Sequence, residues 1–227
     1  MRRIADNISE ILERIHAFEK SYQRPEGAVT LLAVSKTQPA EAIRQAYAAG
    51  IRDFGENYLQ EAEAKIAALS DLDLTWHFIG PIQSNKTRLL ARHFHWVHSV
   101  DRLKVARRLS EQREDSQAPL NICVQVNLSG EDSKSGISLA DTESFCQQVA
   151  TLPRLQLRGL MSIPAAESDF GRQRQQFARL ATEFKRLRSQ FAGFDTLSMG
   201  MSGDYEAAIA EGATLIRIGT AVFGARI

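Results

Sequence analysis

The sequence predicts a single (β/α)8 barrel, a TIM-like α/β fold, with an extra N-terminal helix. Three observations carry this. Eight short apolar runs recur along the 227 residues, a helical pattern separates each from the next, and no linker or low-complexity stretch divides the chain. Regular alternation of this kind requires right-handed parallel crossovers, and eight units fit a barrel of roughly 250 residues or somewhat fewer. An open doubly wound sheet is the competing arrangement. It calls for a glycine fingerprint after its first strand, and Ser35-Lys36-Thr37-Gln38-Pro39 is not one. One domain is therefore expected over 1–227.

Residues 1–20 place Ile4, Ile8, Ile11, Leu12, Ile15 and Phe18 at three- and four-residue spacings, which is a helix packed on the barrel by one face. Pro25 and Gly27 end that pattern. Residues 29–35 form a nearly continuous apolar run, as in a parallel strand buried on both sides. A helix follows with Pro39 in its first turn, Ala42, Ile43, Ala46 and Tyr47 facing inward, and Gly50 at its end. Further strands are predicted at 53–55, 76–80, 96–100, 121–127, 155–163, 196–199 and 214–218. Helical patterns lie between them, among them 103–113, 142–152, 177–191 and 205–211.

Lys and Arg number 28 against 27 Asp and Glu, a net charge of +1. This near balance argues against a protein dedicated to nucleic acid or a membrane surface. A local phosphate pocket needs only one or two positive groups and stays open. The basic stretch with Arg172, Arg174, Arg179, Lys185, Arg186 and Arg188 reads as a solvated helix face. Cys123 and Cys146 sit in apolar or helical surroundings and read as small buried hydrophobes. No run is apolar and long enough to span a membrane, and no signal core opens the chain. A reducing, cytoplasmic setting is expected.

In a barrel the reactive groups collect at the carboxyl ends of the strands. Lys36 lies there, directly after an apolar strand, where poor hydration favours its neutral, imine-forming amine. The alternative is a strand-end lysine turned to solvent. Loops after strands 7 and 8 of such barrels frequently bind phosphate. Here one carries Gly200, Ser202 and Gly203 and the other Gly219 and Thr220, with Ser202 placed to cap the following helix. Ordinary turn and capping chemistry would use the same residues. Arg217 alternates with Ile216 and Ile218. If it faces the barrel interior it needs a partner, either a ligand's pyridine nitrogen or phosphate, or an inward acid such as Asp53. His93, His95 and His98 have a spacing that suggests a metal, but no matching acids or cysteines accompany them, so no metal is expected.

Several motifs then carry a family resemblance. They are Leu32-Ala33-Val34-Ser35-Lys36-Thr37, Phe54-Gly55-Glu56-Asn57-Tyr58, His77-Phe78-Ile79-Gly80-Pro81-Ile82-Gln83-Ser84-Asn85-Lys86, Ser133-Lys134-Ser135-Gly136, Arg158-Gly159-Leu160-Met161, Leu197-Ser198-Met199-Gly200-Met201-Ser202 and the run from Arg217 to Gly224. In this order, spanning nearly the whole chain, they resemble the YggS family of pyridoxal phosphate homeostasis proteins. The resemblance implies a barrel related to the amino-terminal domain of alanine racemase, with pyridoxal 5'-phosphate (PLP) as its ligand. It further implies a Schiff base on Lys36 and Arg217 at the pyridine nitrogen. Ser202, Gly219 and Thr220 would lie at the phosphate, and Asn57, His77 and Met199 around the ring. An arginine at that nitrogen keeps it unprotonated and weakens the electron sink. Some relatives carry a second lysine two positions after the first; here that position is Gln38.

The resemblance also implies a non-catalytic role in PLP homeostasis, with the cofactor passed on to apo-enzymes. A PLP-dependent amino-acid racemase is the first alternative. It uses a second base from an additional domain, and the chain is expected to lack that domain because it stops after the eighth unit. Loss of such a domain favours a monomer. A sugar-phosphate lyase using Lys36 without cofactor suits the barrel but not the motifs.

Overall fold

The computed structural model describes residues 3–129 and 135–224; Ser133 and Lys134 of the fourth motif lie outside them. Eight parallel strands close in sequence order. They are β1 (Thr30–Val34), β2 (Asp53–Glu56), β3 (Thr75–Phe78), β4 (Trp96–Val100), β5 (Leu120–Gln125), β6 (Leu155–Met161), β7 (Thr196–Ser198) and β8 (Leu215–Ile218). The barrel closes where β1 pairs with β8, setting Leu32 beside Arg217. The N-terminal helix α1 (Ile4–Ser21) buries Ile8, Ile11 and Ile15. It is tied to β1 by Glu19, whose carboxylate accepts the amides of Gly27 and Val29 at 3.1 and 2.9 Å. Then follow α2 (Ala40–Ala48), α3 (Leu59–Ala68), a 3-10 turn (Ser84–Lys86), α4 (Thr87–His93), α5 (Leu103–Gln112), α6 (Thr142–Ala150), α7 (Phe170–Arg188), α8 (Tyr205–Ala210) and α9 (Thr220–Phe223).

The predicted strands are all present, most of them trimmed at their ends. The clearest difference is α7, which begins at Phe170 rather than 177. Its first turns, Gly171-Arg172-Gln173-Arg174, show no apolar periodicity, and Asp169 starts them by accepting the Arg172 amide at 2.8 Å.

Strand side chains alternate between two cores. Outward residues such as Leu31, Ala33, Phe54, Trp76, Phe78 and Ile216 pack under the helices. Leu32, Val34, Ile79 and Leu215 form a small separate apolar cluster inside the barrel. Cys123 and Cys146 are both free and buried. Burial pushes the Cys123 thiol far up and the Cys146 thiol up to about 12, so both stay protonated and inert.

Candidate functional site

The parity of β1 decides where Lys36 goes. Leu32 and Val34 belong to the interior cluster, and Lys36, two residues on, takes the same side at the carboxyl mouth. It lines a cavity of about 230 Å³. The residue is half-buried, and its amine makes no hydrogen bond or ion pair with a described residue. Behind it, Ser35 faces outward and donates to Glu56 Oε1 at 2.6 Å. Lys65 Nζ donates to the Ser35 carbonyl at 2.7 Å, to Glu56 Oε1 at 2.8 Å and to Glu61 Oε1 at 2.5 Å. Glu61 Oε1 also accepts the Thr37 amide. Thr37 has φ 63, which a β-branched residue adopts only when its surroundings force it. The buried Lys65 cluster thus fixes the turn that aims Lys36 inward. Burial raises the pKa of the Glu56 carboxyl, partly offset by its bonds to Lys65 and Ser35.

Across the mouth, Arg217 is inward-facing and only 3% exposed. Its partners are neutral: Nη1 donates to Ser198 Oγ at 2.8 Å and Nη2 to the Ser162 carbonyl at 2.9 Å. It does not pair with Asp53, the acid considered from sequence, which lies at the opposite mouth and is engaged by His77. Burial without a contacting carboxylate pushes the guanidinium down to about 10, opposed by the charge of Asp204. Arg217 therefore remains a cation at neutral pH. Ser202, Gly219 and Thr220 line the same cavity. Gly219 precedes the single turn of α9, whose first amides have no partner within the helix. Ser202 does not cap α8 as the sequence suggested. Asp204 is the N-cap residue, its Oδ1 taken by the Met201 amide at 2.6 Å. Gly200 permits this turn, with φ 94 and a missing Cβ that would lie 2.6 Å from the Ala208 Cβ.

Asn57 completes the wall, with a buried Oδ1 that has no hydrogen-bond partner among the described residues. Gly80 lets its loop approach, since a Cβ there would fall 2.2 Å from the Asn57 carbonyl oxygen. Of the residues singled out from sequence, the structure thus gathers Lys36, Asn57, Ser202, Arg217, Gly219 and Thr220 around one cavity.

His77 and Met199 are not brought there. His77 faces inward but sits one layer deeper, beneath Ile79, which takes its place on the cavity wall. It lines instead a cavity of about 350 Å³ at the opposite mouth, with Asp53, Trp96, Arg158 and Asp195. Met199 follows the inward Ser198, so alternation turns it outward into the helix-facing core, where it is fully buried. Met201 lines the cavity from that loop. Sequence reading also missed the Glu56–Lys65–Glu61 cluster. The i,i+4 spacing of Glu61 and Lys65 was visible, but an exposed helix pair would look the same.

The three histidines diverge. His93 approaches Glu63 at 3.8 Å, His95 Nδ1 accepts the Trp76 amide at 2.9 Å, and His98 points into the barrel. Among the described residues no group of three His, Cys, Asp or Glu side chains could hold a metal ion.

The fold and site define a parallel (β/α)8 barrel whose carboxyl mouth joins an amine without a partner among the described residues, a buried guanidinium and hydroxyl- and amide-bearing loops. The chain belongs to the family described as alanine racemase, N-terminal domain, which it matches over residues 6–227, and within it to the pyridoxal phosphate homeostasis proteins. It is 58% identical to the pyridoxal phosphate homeostasis protein of Pseudomonas aeruginosa, covering 100% of this chain and 97% of that one. With the protein of the same name from Escherichia coli it shares 52% over 100% of this chain and 98% of the relative. The structure of PipY from Synechococcus elongatus with PLP bound superposes with a TM-score of 0.82 at 41% identity, over 98% of this chain and 100% of PipY. Alanine racemase from Corynebacterium glutamicum shares the fold, with a TM-score of 0.70 at 15% identity over 98% of this chain and 61% of the racemase.

Proposed function

We propose that this protein binds pyridoxal 5'-phosphate at the carboxyl mouth of the barrel, as a Schiff base on Lys36, and serves intracellular PLP homeostasis without catalysing a reaction. One observation carries the reading: the free amine of Lys36 and the Arg217 cation face the same small cavity as Ser202, Gly219 and Thr220. A phosphorylated pyridine aldehyde offers a carbonyl for the amine, a ring nitrogen for the guanidinium and a dianion for the loop amides and hydroxyls. The residues present fit it. Bound PLP supplies an electrophilic carbonyl and an electron-accepting ring. The protein's part would be to hold it: Arg217 would donate toward the ring nitrogen, Asn57 would offer an Oδ1 without a partner among the described residues, and Ile79 and Ile163 would shield the ring from water. The names of the relatives and the PLP bound to PipY support the assignment.

The cavity lining also supports a carrier over a racemase. Two-sided proton transfer needs a second base opposite the lysine. The other described lining residues are Val34, Gln38, Asn57, Ile79, Ile163, Met201, Ser202, Arg217, Gly219, Thr220 and Gly224, and none of these is an ordinary base at neutral pH. We read the protein as a cytoplasmic monomer that releases PLP to apo-enzymes. Among the described residues no helix is long and apolar enough to cross a membrane. Titration with PLP should produce a visible absorption band that saturates at one equivalent. Deuterium exchange at the α-carbon of a panel of amino acids should then stay at background. Turnover at substrate-level rates would instead establish the racemase-type reading.

A further inference from the structure

A line of buried polar side chains runs down the barrel axis from Arg217 to the opposite mouth. Arg217 Nη1 donates to Ser198 Oγ at 2.8 Å, Ser198 Oγ lies 2.9 Å from His98 Nδ1, His98 Nε2 lies 2.9 Å from His77 Nδ1, and His77 Nε2 lies 2.9 Å from Asp53 Oδ1. Simple donor counting fixes every proton. Asp53 as a carboxylate only accepts, so His77 Nε2 carries hydrogen. Burial keeps the His77 imidazole neutral despite Asp53, so its Nδ1 is an acceptor. His98 must then donate through Nε2 and accept at Nδ1, and burial holds it neutral even more firmly. Ser198 therefore gives its only proton to His98 and turns its lone pairs to Arg217. All four contacts are then hydrogen bonds running with one polarity, and no other assignment with neutral rings and an ionised Asp53 achieves this.

We propose that Ser198 and His98 are positioning residues for the ligand's ring nitrogen, with His77 and Asp53 anchoring the chain at the far mouth. The inference rests on the reading of the carboxyl mouth as a PLP site. A planar guanidinium held at Nη1 by Ser198 and at Nη2 by the Ser162 carbonyl cannot rotate. Its remaining N–H groups are then set relative to the cavity before any ligand arrives, which is how pre-organised donors gain strength. Without the chain the Ser198 hydroxyl would be free to spin, and Arg217 would lose one of its two anchors. His77 thus serves the site from a distance rather than by touching the ring.

Two measurements test this. Nitrogen-15 spectra of the imidazole rings, with and without PLP, should show both His77 and His98 as neutral Nε2–H tautomers at pH 7. An Nδ1–H tautomer or an imidazolium at either ring would overturn the chain. Ser198→Ala should weaken PLP binding by about three- to tenfold, in the range expected when one anchor of a charged donor is lost. It should also shift the visible absorption maximum of bound PLP, because the ring nitrogen no longer meets a fixed donor; loss of packing alone would not do that. Wild-type protein that binds PLP beside a Ser198→Ala variant with the same affinity and spectrum would overturn the proposal while leaving the site reading intact. Failure of the wild type to bind PLP removes both.

Discussion

The two mouths of this barrel are lined by similar residue types and differ in what those residues have left to offer. At the amino mouth Asp53 holds His77, and Arg158 is spent on Asp195 at 3.0 and 2.7 Å, on Asn121 at 2.9 Å and on the face of Trp96 at 4.6 Å. At the carboxyl mouth neither Lys36 nor the Asn57 Oδ1 has a partner among the described residues, and Arg217 is held by neutral oxygens. The amino-mouth cavity is the larger, about 350 against 230 Å³. Size therefore does not mark the site; unspent hydrogen-bonding capacity does, because burying it without a ligand costs free energy.

The largest expected effect is on stability at the carboxyl mouth. Glu56→Ala leaves Lys65 buried with only Glu61 and a carbonyl as partners, and should cost about 3 kcal/mol, measured by urea unfolding. A cost near zero would mean the cluster does not hold the Lys36 turn. Next, Arg217→Met removes the buried cation from the cavity and should weaken PLP binding at least about tenfold. Equilibrium dialysis checks this, and unchanged affinity would deny Arg217 a part in binding.

The interior histidines give a pH signature. Burial holds His77 and His98 below the ordinary 6.5, so the unfolded chain takes up protons first as pH falls through that value. Their contribution to stability is complete above about pH 6.5 and is lost on acidification below it. Thermal unfolding between pH 7.5 and 5.5 should show this fall, and His98→Gln should make it shallower. The smallest effect is expected at the amino mouth, where Arg158→Ala should cost about 1 kcal/mol and leave PLP affinity within about twofold. A large loss of affinity there would mean that the two mouths are less distinct than their bonding suggests.

The sequence made the barrel legible because apolar strands and helical spacings repeat with little interruption. Strand ends put Lys36, Arg217 and the Ser202 and Gly219 loops at one mouth of the barrel, while whether Lys36 and Arg217 turn inward was left open. Depth within the barrel could not. Nothing in the string Trp76-His77-Phe78-Ile79 says that Ile79 rather than His77 reaches the cavity, because that depends on strand tilt and on where the chain leaves the sheet. Met199 lies off the cavity wall for a related reason: the strand must be known to keep its alternation through Ser198 before the next side chain can be turned outward. The chain from Arg217 to Asp53 joins residues from five strands, and only the closed barrel brings them into line.

The unspent amine at the carboxyl mouth should be the one that holds the ligand. Protein loaded with PLP, reduced with borohydride and digested should yield a single labelled peptide bearing the modification on Lys36, and Lys36→Ala should yield none. A label on another lysine, or undiminished labelling of the Lys36→Ala protein, would contradict the account.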